Sequence, residues 1–350
     1  MSTIVVTPGK YFLEGRQGSF LDPEDFSHPR HMTQKRCRIS LSQISYTFQS
    51  LQQNSPNIWT QGQIQKDPLE SIPIKESIIS MNPMVLVTGG ATRLGREIAL
   101  CFASEGWDVT IHYNKSRELA LALQSEMAGL FPKIKTQLLK AELSSEEGVT
   151  ELFHNTVAHT GHALQCIVNN ASLFEPDAGL DFTAALALDQ LKVNLLAPMK
   201  LGQCLANFYL ENHKAPVSPL QNRPSIVHVL DQKVFNLNPD YFSYTLSKLA
   251  LERAVSLQAQ SLAPTVRVNA VSPGLMYLSG EQTPENFAKA SQVNLLQQAI
   301  DPKDVAKSCY FLASTPSLTG TTIKVDCGQH LVPLARDVMF MVDELFAQKP

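Results

Sequence analysis

The chain has 350 residues, 44% of them hydrophobic and 17% charged, with a formal net charge of -3. That apolar share excludes an intrinsically disordered chain, and the balanced charge excludes the global basic field of a nucleic-acid binder. No run of roughly 18 apolar residues offers a membrane span, and the opening MSTIVVTPGKYFLEGRQ lacks the pattern of a secretory leader.

Length alone allows two domains or one long α/β domain. The six cysteines, Cys37, Cys101, Cys166, Cys204, Cys309 and Cys327, form no CxxC pair. They read as scattered reduced thiols of a cytoplasmic protein, with neither zinc spacing nor a disulfide framework. Sequons at Asn114 and Asn170 are chance matches, and both are expected inside a cofactor site.

In chain order, residues 1–80 differ from the rest. Ser42 to Lys66 is rich in Gln, Ser and Asn, and the first 35 residues carry turn signals between short apolar pieces. With 8 basic and 7 acidic residues, the segment is not a charged arm. It reads as a partly ordered N-terminal extension of unknown role, or as a segment that packs on the main domain or on a neighbouring subunit. Residues 81–350 form the regular domain. Strands are predicted at Met84–Thr88, Val109–His112, Thr136–Leu139, Cys166–Asn169, Ser225–Leu230, Val266–Ala270 and Thr322–Val325. Helices alternate with them after Gly95, near Leu119–Met127, and over Glu146–His159, Phe182–Tyr209, Ser243–Leu262 and Pro302–Ala313. This alternation predicts a doubly wound parallel sheet with helices on both faces.

The first strand runs into Thr88-Gly-Gly-Ala-Thr-Arg-Leu-Gly95. Gly89 permits a tight turn. Gly95 permits close approach of helix to strand or of backbone to a pyrophosphate. Amides around Arg93, Leu94 and Gly95, at the positive end of a helix dipole, suit an anion. The end of the second strand discriminates the dinucleotides. Asp108 precedes that strand and so lies at its wrong end. The other end reads His112-Tyr113-Asn114-Lys115-Ser116, without an acid. Arg93, Lys115 and Ser116 can meet a 2′-phosphate, so the cofactor expected is NADPH. Glu142 follows the third strand and is a candidate acceptor for the adenine amino group. Asn169-Asn170-Ala171-Ser172 places small polar residues at a strand's carboxyl end, where open α/β sheets bind ligands.

Tyr244 and Lys248, four apart on a predicted helix, share a face. An ammonium beside a phenol of ordinary pKa about 10 is expected to lower it toward working pH. Tyr244 then serves as general acid toward a group that receives hydride, and Lys248 can also bond the nicotinamide ribose.

Taken together, Thr88-Gly89…Gly95, Asn169-Asn170-Ala171, Asn194, Tyr244…Lys248 and Pro273-Gly274 resemble the short-chain dehydrogenase/reductase family. The likeness covers Pro83 to Leu331, about 70% of the chain. It implies a Rossmann-type sheet of about seven strands. It also implies a catalytic Asn194, cofactor contacts at Pro273 and Gly274, and dimers or tetramers packed through the helices around Asn194 and Tyr244. Cys327 stands where the family usually has glycine.

Three departures narrow the resemblance. Arg93 replaces the middle glycine of the usual loop, Asp231 stands near the place of the usual catalytic serine, and Ser172-Leu173-Phe174 follows the Asn-Asn-Ala. This set is similar to the pteridine reductases and the bacterial dihydromonapterin/dihydrofolate reductases. The resemblance implies that Arg93 reaches cofactor phosphate and pterin, that Phe174 stacks on the pterin, and that Ser172 bonds near it. Asp231 and Tyr244 become the proton-delivery pair. Residues Leu275 to Leu296 fall where the family keeps its substrate loop. Leu275 belongs to the substrate site there, with Met276, Tyr277 and Leu278 as apolar wall and a flexible piece around Gly280 and Pro284.

The activity expected is NADPH-dependent reduction of a small-molecule dihydropterin or dihydrofolate, with no nucleic-acid or membrane partner. One competing reading is another short-chain reductase acting on a ketone, such as a 3-oxoacyl thioester or a sugar. The absent serine argues against it. Another is a non-enzymatic NADP-binding protein, against which the Tyr244/Lys248 pair argues.

Overall fold

A computed structural model describes residues 82–160, 164–212 and 223–347. The extension expected over residues 1–80, with Cys37, lies outside the described residues. Seven parallel strands form one sheet in the order β3-β2-β1-β4-β5-β6-β7. They are β1 (Met84–Val87), β2 (Asp108–Tyr113), β3 (Thr136–Lys140), β4 (Leu164–Asn169), β5 (Ser225–Val229), β6 (Arg267–Pro273) and β7 (Thr322–Val325). The central strands are buried from end to end because helices cover both faces, and so they read as continuous apolar runs.

Alternation along each strand divides the core in two. Val85, Val87, Val109 and Ile111 pack with Ile98 and Phe102 of α1 (Arg93–Ser104), Leu123 of α2 (Arg117–Leu130) and Leu312 of α8 (Pro302–Ser314). On the other face Leu86, Ile167 and Ile226 pack with Leu152 of α3 (Glu146–Thr160) and with Leu201 and Leu205 of α5 (Ala197–Asn212).

The long apolar stretch predicted from Phe182 is α4 (Ala184–Leu191), one π turn (Lys192–Leu196) and α5. Pro198 has no N–H to give the carbonyl of Asn194, so the α-helical ladder cannot run through this point. The helix predicted from Ser243 is α6 (Phe242–Ser261).

Two helices were not anticipated. The first, α7 (Pro284–Ala290), lies within Leu275 to Leu296 and starts where the expected flexible piece ends. Thr283 caps it by accepting from Asn286 N–H at 3.2 Å, and Pro284 pre-sets its first turn. The second, α9 (Val338–Ala347), packs Val338 and Val342 against Ala290 of α7, with Leu275 and Leu334 alongside. Among the described residues no helix is long and apolar enough to cross a membrane, no metal-binding cluster of acids, cysteines and histidines occurs, and the five cysteines are free.

Candidate active site

The sheet order reverses between β1 and β4, and a cleft of about 990 Å³ opens at the carboxyl ends of the strands there. Its floor is the turn from β1 into α1. Gly89 takes φ +60, and a Cβ on Gly95 would lie 2.1 Å from Gly89 O and 2.7 Å from Asn170 Nδ2. The turn is tied to β4 by side chains. Thr88 Oγ1 accepts the Asn170 and Ala171 N–H groups, both at 3.0 Å, and Asn170 Nδ2 donates to Thr88 O at 3.0 Å and Gly89 O at 3.2 Å. The first turn of α1 has no acidic residue and no side-chain cap on its N–H groups. These amides are therefore free for an anion that the helix dipole favours.

Arg93 stands at φ 50, where L-residues pay roughly 1–2 kcal/mol. Its Nη2 donates to Leu278 O at 2.8 Å, and the guanidinium lies 4.9 Å from the centre of the Tyr277 ring. The loop's arginine thus grips the segment that follows β6.

At the end of β2, His112, Asn114 and Lys115 line the cleft, while Tyr113 packs on the core and Ser116 precedes α2 without lining it. His112 is 2% exposed, and both of its ring nitrogens are engaged by the backbone. Nδ1 accepts Gly89 N–H at 3.1 Å, and Nε2 lies 3.2 Å from Ala141 O, so the ring is a neutral Nε2–H tautomer. Burial pushes its pKa down to about 4. Its observed part is to shape the glycine turn. Burial pushes the Glu142 carboxyl up, but donors from Ser144 and Asn114 outweigh it and hold the group below its usual range. Asn114 Nδ2 donates to Glu142 Oε2 at 2.8 Å. Both sequon asparagines, Asn114 and Asn170, line the cleft. Asp108 starts β2 at the far end and accepts from Lys135 N–H at 2.9 Å.

Across the cleft, Tyr244 Oη donates to Asp231 Oδ2 at 2.8 Å. Asp231 Oδ1 accepts Lys233 N–H at 2.8 Å, at the start of a 3₁₀ turn (Gln232–Val234) that follows β5. Lys248 Nζ donates to Val229 O at 2.8 Å and lies 5.8 Å from the centre of the Tyr244 ring. One sequence expectation is overturned here. Burial, then the Asp231 carboxylate, raises the Tyr244 pKa well above its ordinary value instead of lowering it. Burial also lowers the pKa of Lys248 itself, to about 8. Burial likewise raises Asp231, against the pull of Lys233, Tyr244 and Lys248.

Phe174 stacks on Tyr241 with centroids 4.2 Å apart and stands edge-on to Tyr244 at 4.6 Å. Asn194 is fully buried in the π turn, behind the cleft wall. Its Oδ1 accepts from Leu173 N–H at 2.8 Å and Ser172 Oγ at 3.1 Å, while Nδ2 donates to Leu173 O and Ser247 Oγ, both at 2.9 Å. The π turn therefore fixes the Ser172–Phe174 segment from behind. Pro273, Gly274 and Leu275 also line the cleft, with Leu275 N–H on Gln329 Oε1 at 2.9 Å.

Sequence reasoning missed Lys233, Tyr241, Asp337 and Met339, which all border the cleft. Tyr241 lay within reach, one helical turn before Tyr244. Nothing in the local pattern ties Asp337 to a site about a hundred residues earlier.

A family model described as enoyl-(acyl carrier protein) reductase, of the short-chain dehydrogenase type, matches residues 89–330. The chain belongs to the short-chain dehydrogenase/reductase family. Like other members it is an oxidoreductase with a Rossmann-like parallel sheet. A dihydromonapterin reductase of Escherichia coli (strain 536) is 27% identical over 248 residues, which cover 71% of this chain and 96% of that relative. Two solved structures of FolM alternative dihydrofolate reductase 1, each in complex with NADP, are similar to this short-chain reductase. The one from Brucella canis is 33% identical with a TM-score of 0.63, covering 72% of this chain and 95% of its own. The one from Brucella suis is 35% identical with a TM-score of 0.64, covering 72% and 96%. These relatives support a reductase of the pteridine-reductase type.

Proposed function

We propose that the protein is an NADPH-dependent pteridine reductase that converts a dihydropterin, of the dihydromonapterin or dihydrobiopterin type, or dihydrofolate, to its tetrahydro form. The observation that carries this reading is the half-buried carboxylate of Asp231 on the Tyr244 hydroxyl, beside the Phe174 ring. Reducing a ring C=N bond needs a proton at nitrogen, and a carboxylate that feeds a phenol suits that need.

The cleft fits the cofactor. The uncapped amides of α1, the close approach at Gly95 and the acid-free end of β2 suit a pyrophosphate and a 2′-phosphate. Arg93, Leu94 and Gly95 hold the pyrophosphate side, and Asn114 and Lys115 the ribose phosphate. Asn170, Ala171, Pro273 and Gly274 hold the nicotinamide side, and Lys248 the ribose near it. When bound, NADPH supplies the hydride that goes to a ring carbon.

The remaining work belongs to side chains. Phe174 offers a ring face to the planar heterocycle, Ser172 and Arg93 bond its polar edge, and Leu275 walls it in. Tyr244 donates its proton to the ring nitrogen. Asp231, whose proton affinity burial has raised, takes up a proton from solvent and passes it to the Tyr244 phenolate, which restores both groups. The Lys248 ammonium steadies the phenolate formed between the two transfers.

The test is NADPH oxidation by the purified protein with dihydromonapterin, dihydrobiopterin, dihydrofolate and a 3-oxoacyl thioester in parallel. Turnover of the pterins supports the proposal. Turnover of the thioester alone replaces it with a ketone reductase, and NADPH binding without any turnover replaces it with a binding role.

A further inference from the structure

The segment after β7 does not leave the domain. It returns across the loop between β5 and α6, which carries Asp231 at one end and Tyr241 and Tyr244 at the other. The loop is pinned to this C-terminal arm at three places. Lys233 Nζ donates to Asp337 Oδ2 at 3.0 Å and to Asn238 Oδ1 at 2.6 Å. Asn236 Nδ2 donates to Val332 O at 2.8 Å. Asp240 accepts Arg336 Nε on both oxygens, at 2.8 and 2.9 Å, and the Asp337 N–H at 2.6 Å. The arm is held in turn by α7, where Asn286 Nδ2 donates to Met339 O at 2.9 Å, and by the loop itself, where Tyr241 Oη donates to Met339 Sδ at 3.4 Å.

Within this lattice Lys233 is the unusual residue. Its side chain is 3% exposed, and the reaction outlined above gives it no task. A lysine is seldom buried without a partner, because desolvating the ammonium is costly. Here the partner is a carboxylate from the arm, and the residue's own N–H holds Asp231 Oδ1. We infer that Lys233 and Asp337 are positioning residues for the Asp231–Tyr244 pair, so that the C-terminal arm is a working part of the active site in the same chain.

The charges that face the pair come from three elements. Tyr244 and Lys248 lie on α6, Lys233 on the 3₁₀ turn, and Asp337 on the arm. The Asp240–Arg336 ion pair, joining the loop to the arm, sits beside them. Lys233 and Asp337 act on the Asp231–Tyr244 pair with opposite signs. The ammonium favours the carboxylate form of Asp231, and the Asp337 charge disfavours a further negative charge on the pair, as its pull on the Tyr244 hydroxyl shows.

The inference rests on reading Asp231 and Tyr244 as the proton-delivery pair, so its test does not depend on turnover. In full-length protein labelled with [γ-13C]aspartate, the Asp231 carboxyl resonance, assigned by its loss in Asp231→Asn, is followed against pH. Lys233→Met is expected to move its midpoint up and Asp337→Asn to move it down. The double variant should fall between them, and Lys233→Arg should stay near wild type. A loop that is merely loosened would shift in one direction for both single variants. That result, or no movement in either, overturns the inference. If Lys233→Met does not fold, Asp337→Asn decides alone, since a midpoint that stays put or rises overturns it. Turnover of the dihydropterins is measured on the same samples. Opposite shifts without turnover would sink the substrate reading and leave the positioning role standing.

Discussion

The Tyr244 hydroxyl donates a hydrogen bond to Asp231 Oδ2 at 2.8 Å, with the tyrosine buried and the aspartate half-buried. A phenol whose proton affinity is raised donates only when the atom it faces becomes strongly basic, as a ring nitrogen does on receiving hydride. Tyr244→Phe keeps the ring and its edge-on contact with Phe174 but removes the proton. The expected loss in kcat is about 10²- to 10⁴-fold. NADPH affinity, read by fluorescence titration, should change little. A large loss of NADPH binding would mean that Tyr244 mainly builds the site.

Gly95 is the position where the cofactor floor tolerates least change. A Cβ there would meet Gly89 O at 2.1 Å, and that atom is backbone in the turn itself. Gly95→Ala should destabilise the domain by about 1–3 kcal/mol, as overpacking does, and should weaken NADPH binding at least tenfold. Thermal unfolding and a binding titration check the two effects separately. Unchanged values in both would show that α1 can shift without cost.

Phe174→Ala removes a ring that stacks on Tyr241 and meets Tyr244 edge-on. Aromatic pairs contribute about 0.5–1.5 kcal/mol beyond buried area, so kcat/KM for a dihydropterin should fall by about two- to thirteenfold. Most of the change should lie in KM, with the NADPH KM nearly unchanged. An effect confined to NADPH would place Phe174 on the cofactor instead.

His112 makes stability depend on pH. It is held neutral, with its pKa near 4 in the folded chain against about 6.5 when unfolded. Between these values the unfolded chain binds the extra proton, so stability is complete above about pH 6.5 and is lost as pH falls toward 4. The loss attributable to His112 is about 3 kcal/mol. His228, also near 4, adds a loss of the same sign. Denaturant unfolding of wild type and His112→Gln from pH 7 to pH 4 should show a shallower fall in the variant. Parallel falls would exclude His112 as a source.

The parallel sheet was readable because every strand that helices cover on both faces must be an apolar run, and the runs from Met84, Val109 and Ser225 are bounded by turn signals. Asp231 was visible as a departure, a carboxylate near the place where the family has serine. The direction of the Tyr244 shift was not visible. It depends on how deeply Tyr244 and Lys248 are buried, and a spacing of four residues says nothing about depth. The place of His112 was hidden for a similar reason, since a polar residue at a strand end looks alike whether its partners are ligand or backbone. The helix α7 is announced by Thr283-Pro284, although Pro284 reads in the sequence as part of a flexible piece. The arm stayed invisible because Asp337 meets Lys233 only through the tertiary fold.

The central claim is that the Asp231–Tyr244 pair delivers the proton for reduction of a dihydropterin by NADPH. The most direct measurement compares wild type with Asp231→Asn, on one dihydropterin with saturating NADPH, by quantifying the tetrahydropterin formed. The account predicts tetrahydropterin from the wild type and a rate about 10²-fold lower or less from the variant, with NADPH still bound. Full-rate product formation by Asp231→Asn, or no tetrahydropterin from the wild type, would contradict it.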